Sequence, residues 1–189
     1  MQKKEIITLM GAPGAGKSST SDRVAQKLGF QRFSSGDFMR KIALARGISL
    51  NELSLQAELD TSIDASIDDE VKKAGDMNKV VIDSRLAFHW IPNSFKVYLD
   101  LPAEIAKERI LSNLKVNKLR QESENASNVD EVYKQITERL ESEKKRYWEL
   151  YKVDHTNKSN FDLVVDTNKN NLDEVVDVIV AEYKKWIEN

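Results

Sequence analysis

A chain of 189 residues, 40% hydrophobic and 32% charged, carries enough apolar side chain for one packed domain under a charged surface. Its 29 Lys and Arg against 31 Asp and Glu leave a net charge of −2, which excludes the broad basic field of a nucleic-acid binder. With no cysteine, disulfides and thiol chemistry are excluded; no apolar run approaches the roughly 18 residues of a membrane span, so the expectation is a cytoplasmic monomer with small-molecule partners.

Glu5–Met10 reads as a buried strand stopped by Gly11. A helical pattern from Lys17 to about Leu28 meets Gly29 where a C-terminal cap belongs. Gln31–Phe33 predicts a short strand. Helices are expected over about 37–46, 50–58 and 61–74, with a Ser49/Glu52 capping box and stops at Gly47 and Gly75. Lys79–Asp83 and Phe95–Leu101 are β-branched apolar runs of strand length. Pro102 suits the first turn of a helix running to about 115. Residues 116–128 are polar and aperiodic; a charged helix over about 129–151, a strand over Phe161–Asp166 and a helix over about 171–188 complete the chain.

Alternating strands and helices imply an α/β three-layer sandwich with a central parallel sheet of about five strands. The helical block within 34–75 is too long for a simple crossover and reads as an insertion. Residues 1–33, 76–115 and 147–189 then form the core of one domain, with 116–146 as a lid region.

Gly11-Ala12-Pro13-Gly14-Ala15-Gly16-Lys17-Ser18, followed by Ser19, satisfies the P-loop pattern between a predicted strand and a predicted helix. Glycines let successive backbone N–H groups turn inward around a phosphate, and the helix N-terminus adds partial positive charge. Lys17 can reach the terminal phosphates of ATP, and the Ser18 hydroxyl can bind Mg²⁺. The sandwich is therefore expected to be of the P-loop NTPase type.

A guanine-selecting switch needs Asn-Lys-x-Asp, whereas Asn157–Asn160 and Asn168–Asn171 both end in Asn. A remodelling ATPase needs an apolar strand ending in Asp-Glu, but Val80–Asp83 continues as Ser84-Arg85. A kinase remains. Transferring phosphate between two polyanions needs several guanidinium groups, because arginine grips phosphate bidentately and stays charged. Arg40 and Arg85 are candidates, the latter just past a strand end, where open α/β sheets bind ligands. Arg139, Glu143 and Arg146 share about 60° of arc on one helix face, a spacing equally compatible with solvated surface charge.

Gly11–Ser19, Phe33–Arg40, Val81–Ala87 and Glu138–Tyr147, in that order, resemble successive motifs of cytidylate kinase in the short archaeal form. Ile63-Asp64, Ile67-Asp68, Leu150-Tyr151, Val153-Asp154 and Phe161–Thr167 are similar to that family too. The resemblance implies phosphoryl transfer from ATP to CMP or dCMP with Mg²⁺. It puts Ser35 and Asp37 at the monophosphate pocket and Arg40 and Arg85 on the acceptor phosphate. Asp83 would face the pocket or hold a Mg²⁺-bound water. Arg139 and Arg146 would reach over the phosphates from the lid, with Glu143 reading cytosine, whose amino group a carboxylate can accept. Lys152 stands where the family usually has glycine, Asp83-Ser84 where it often has Glu or Gly, and Arg120 is a further lid candidate. A kinase for AMP, UMP or a hydroxyl metabolite, and a nucleotide-binding regulator, are the alternatives. His89, His155, Trp90, Trp148 and Trp186 read as structural.

Overall fold

Ile6–Gly11 is apolar at nearly every position, as a strand covered on both faces must be, and it forms β1, buried along its whole length. The computed structural model describes residues 3–116 and 129–188. The other strands are β2 (Gln31–Ser34), β3 (Val80–Asp83), β4 (Phe95–Asp100) and β5 (Leu163–Asp166). All pairings are parallel, in the order β2-β3-β1-β4-β5. The helices are α1 (Lys17–Leu28), α2 (Ser35–Ala45), α3 (Leu50–Leu59), α4 (Thr61–Gly75), α5 (Ala87–Trp90), α6 (Ala103–Val116), α7 (Val129–Tyr151) and α8 (Leu172–Glu188). The expected five-stranded parallel α/β sandwich is what the chain forms.

Strand side chains alternate between two cores. Ile7, Leu9, Val81, Val97 and Leu99 face α1, α6 and α8. Ile6, Val80 and Ile82 face Val71 and Ala74 of α4 together with Ile91. Each such fully buried side chain contributes about 1.5–3 kcal/mol, which makes the sheet a rigid base for the residues at its edge. A third cluster, Ala43, Leu50, Leu53, Ala57, Ile63 and Ile67, lies entirely within α2–α4.

Register then decides what meets at the carboxyl ends of the strands. Ser34 is paired with Asp83, Asp83 with Leu9, and Gly11 with Leu99. The ends of β1, β2 and β3 therefore lie side by side, the edge where such sheets bind ligands.

Several expectations need adjustment. α2 begins at Ser35 rather than 37, because Ser34 caps it and accepts from the Asp37 backbone N–H. The Ser49/Glu52 capping box is present, and Gly29 and Gly47 have the left-handed φ of helix stops. Gly75 is different: it is the last residue of α4, and a Cβ there would sit 2.8 Å from the Ile91 side chain. That glycine serves close packing of α4 against the end of α5. The four-residue α5 was not foreseen. α7 runs unbroken to Tyr151, the end expected for the charged helix. Lys152, directly after it, has φ 57°, a left-handed conformation that favours glycine. Arg120 lies outside the described residues.

Candidate active site

The P-loop is shaped by steric demands at its two ends. A Cβ on Gly11 would lie 2.4 Å from the Leu99 carbonyl oxygen, so only glycine fits between β1 and β4 there. Gly16 has φ 84° and no side chain caps the first turn of α1, leaving its N–H groups available to an anion. Lys17 Nζ donates to the carbonyls of Gly11 at 2.9 Å and Ala12 at 3.1 Å, folded back along the loop.

Across from it, Ser18 Oγ donates to Asp83 Oδ2 at 3.4 Å, and Ser34 Oγ reaches the same oxygen at 3.4 Å. Two hard oxygen donors beside the phosphate loop suit Mg²⁺, which keeps most of its waters and takes few protein ligands. Ser35 Oγ points to the Asp83 backbone carbonyl at 3.5 Å.

Lys17, Ser18, Ser34, Ser35, Arg40, Asp83, Arg85, Arg139 and Glu143 all line one cleft, with Met39, Leu50, Ile110 and Ile136 supplying apolar wall. The helix-face triplet seen in the sequence is buried: Arg139 is 9%, Glu143 7% and Arg146 4% exposed, which excludes solvated decoration. Arg85 Nε donates to Glu143 at 2.8 Å and its Nη1 to the Gly11 carbonyl at 2.9 Å. Burial would raise the Glu143 carboxyl, but Arg85, with help from Arg139 and Arg146, outweighs that and holds it below its ordinary value.

Arg146 and Asp37, expected at the phosphates and the monophosphate pocket, do not line the cleft. Arg146 was expected over the phosphates; its Nε instead donates to Asp64 of α4 at 2.7 Å, inside a pair that is 5% and 2% exposed. Asp37 accepts from Arg32 and Arg40, each at 3.0 Å, and so holds Arg40 rather than presenting a carboxylate to a ligand. Sequence reasoning passed over Arg32, Ser34, Asp64 and Tyr147 as site or support residues. Ser34 carried a local signal, its capping spacing to Asp37, and Asp64 and Tyr147 fell within the family-like motifs. A second groove was also missed. It runs along the far side of the P-loop past Ser19 and Thr20 to Asn170, Asn171 and Leu172. Arg109 of α6 borders it, donating to the Thr167 carbonyl at 2.7 Å.

Behind Glu143 lies His155, fully buried, with neither ring nitrogen hydrogen-bonded among the described residues. Its ring meets Tyr147 edge to face. Burial, followed by the charge of Arg85, lowers its pKa from 6.5 to about 4. The fold favours the neutral ring, so stability is complete above the unfolded value of 6.5 and declines as pH falls toward about 4. The full loss is about 3 kcal/mol. Urea midpoints measured from pH 7.5 to 4 should show this decline in the parent chain and a smaller one in His155→Gln.

Comparison with known proteins gives a consistent picture. A family model described as an AAA domain matches residues 10–128. A cytidylate kinase from Methanocella arvoryzae is 36% identical over 162 residues, covering 85% of this chain and 86% of that protein. An S-adenosylmethionine-dependent nucleotide dehydratase from Lacinutrix mariniflava is 34% identical over 96% of this chain, which spans only 36% of that protein's length. Among solved structures, a shikimate kinase from Bacteroides thetaiotaomicron superposes with a TM-score of 0.62 at 14% identity, covering 95% of this chain and 98% of that one. Within the described residues no helix is long and apolar enough to cross a membrane.

Proposed function

The chain belongs to the cytidylate kinase family and is a nucleoside-monophosphate kinase, and on that premise we propose that it transfers the γ-phosphoryl group of ATP to CMP or dCMP. The observation that carries this proposal is the convergence of the P-loop lysine with Arg40, Arg85 and Arg139 on one cleft that ends at the Glu143 carboxylate. Three guanidinium groups are more than one nucleotide requires and suit two phosphorylated substrates held face to face.

ATP phosphates lie in the loop 11–19, contacting its backbone N–H groups and Lys17, with the base in the groove bordered by Arg109 and Asn170. Ser18 and, through water, Asp83 would hold Mg²⁺, which when bound would offset charge on the transferring oxygens. Ser35, Arg40 and Arg85 take the acceptor phosphate. Its oxygen, already anionic near neutral pH, attacks the γ-phosphorus while the bond to the β,γ-bridging oxygen breaks, so no strong general base is needed. Arg139 stabilises charge on the moving group. Arg85 exchanges its contact with Glu143 for the acceptor, and Glu143 is released to accept from the cytosine amino group.

The test is ADP release from Mg-ATP with CMP, dCMP, UMP, AMP, GMP or no acceptor. Rapid turnover with CMP or dCMP is expected. Selectivity for AMP or UMP would move the acceptor assignment, and acceptor-independent hydrolysis would reject kinase chemistry at this cleft.

A segment 34% identical to this chain forms part of a protein named as a nucleotide dehydratase. We infer that nucleotides phosphorylated here feed a nucleotide dehydratase. Failure of such an enzyme to accept any product of this kinase, directly or after further phosphorylation, would reject it.

A further inference from the structure

Arg32 points from β2 into a space between two carboxylates that serve opposite sides of the cleft. Its Nη1 donates to Asp37 Oδ2 at 3.0 Å, and Nη2 lies 3.6 Å from Asp83 Oδ2. Nε donates to Ser21 Oγ at 2.8 Å and lies 3.2 Å from Asp22. Nη2 is buried, with no hydrogen-bond partner among the described residues, although it faces an acceptor only slightly beyond bonding range.

Each carboxylate has a second attachment. Asp83 Oδ2 accepts from Ser18, beside the metal position. Asp37 Oδ1 accepts from Arg40 Nη1 at 3.0 Å, and Arg40 lines the acceptor side of the cleft. A continuous chain of polar and charged groups, Ser18, Asp83, Arg32, Asp37 and Arg40, thus spans the site. A partly buried guanidinium shared among Asp22, Asp37 and Asp83 redistributes its bonds when one of these carboxylates is drawn elsewhere.

We propose that Arg32 is a positioning residue that couples metal occupancy to acceptor binding; this rests on the kinase assignment above. When a cation-bound water engages Asp83, Arg32 loses that partner and pairs more fully with Asp37. Asp37 then relaxes its hold on Arg40, which becomes available to the acceptor phosphate. By linkage the effect is reciprocal: an acceptor that takes Arg40 strengthens the Arg32–Asp37 pair and frees Asp83 for the metal.

The test is calorimetric titration of CMP into the chain saturated with a non-hydrolysable ATP analogue, with and without Mg²⁺. In the parent chain Mg²⁺ should tighten CMP binding by about tenfold, within the usual range for coupled sites. Arg32→Lys keeps one charge but cannot bridge both carboxylates. It should reduce that factor to about threefold or less. Arg32→Gln should behave in the same way. An unchanged Mg²⁺ effect in a folded Arg32→Lys variant would overturn the coupling. So would equal losses of CMP affinity with and without Mg²⁺, which mark a merely structural role. If the acceptor panel selects another monophosphate, the same titration is run with that one, so an error in the acceptor does not count against Arg32.

Discussion

Lys17→Ala is expected to lower turnover by about 10²–10³-fold, equivalent to about 2.7–4 kcal/mol of transition-state stabilisation, with little change in folding. The ammonium group stands at the head of α1, donating to the Gly11 and Ala12 carbonyls within the phosphate loop. Those two bonds are partly buried, and their loss should cost about 1 kcal/mol of stability. The charge they carry matters far more. During transfer, negative charge spreads across the moving phosphoryl oxygens, and a fixed cation beside them needs no reorganisation to meet it. ADP release under saturating Mg-ATP gives the turnover number, and thermal melting checks the fold. Near-normal turnover in a folded variant would remove the P-loop from the reaction.

Arg146→Ala and Asp64→Ala should each destabilise the chain by about 3–5 kcal/mol, because either change strands a buried charge. The pair joins α7 to α4 and is 5% and 2% exposed. Burial lifts the Asp64 carboxyl above its ordinary value, and the Arg146 hydrogen bond only partly offsets this. A second tie lies one turn on, where Tyr151 donates to Asp68 at 2.5 Å. Replacing both charges together, as in Asp64→Leu with Arg146→Met, should recover most of the loss, since well-packed apolar side chains often match a buried ion pair. Urea unfolding measures all three variants. The double variant also decides the role of Arg146. If the arginine is a strut, turnover survives below the melting transition. If it moves onto the phosphates during reaction, turnover falls by about 10²–10³-fold in a stable protein.

Local sequence carried most of the fold. Strand lengths, the caps at Ser49 and Gly29, and the helix extents depend on contacts between near neighbours and could be placed within a few residues. Gly75 misled because a glycine at a helix end has two uses, and only the position of Ile91 distinguishes close packing from a left-handed stop. Within the site, Lys17 and Ser18 were legible since a P-loop is a run of consecutive residues whose backbone path is its function. Arg139 and Glu143 were legible as one helix face, but whether that face met solvent or a cleft could not be read from spacing.

By itself, then, the sequence determined a parallel α/β sheet, a phosphate-binding loop at its central strand and a surplus of arginine suited to two polyanions. Tertiary structure alone decided which arginines serve the cleft and which brace it. Arg146 meets a carboxylate 82 positions away and Arg85 one 58 positions away; Arg32, close to Asp37 in sequence, reaches Asp83 only because β2 pairs with β3. Partners so placed leave no periodicity along the chain. They are chosen by strand register and helix packing, which sum over the whole core.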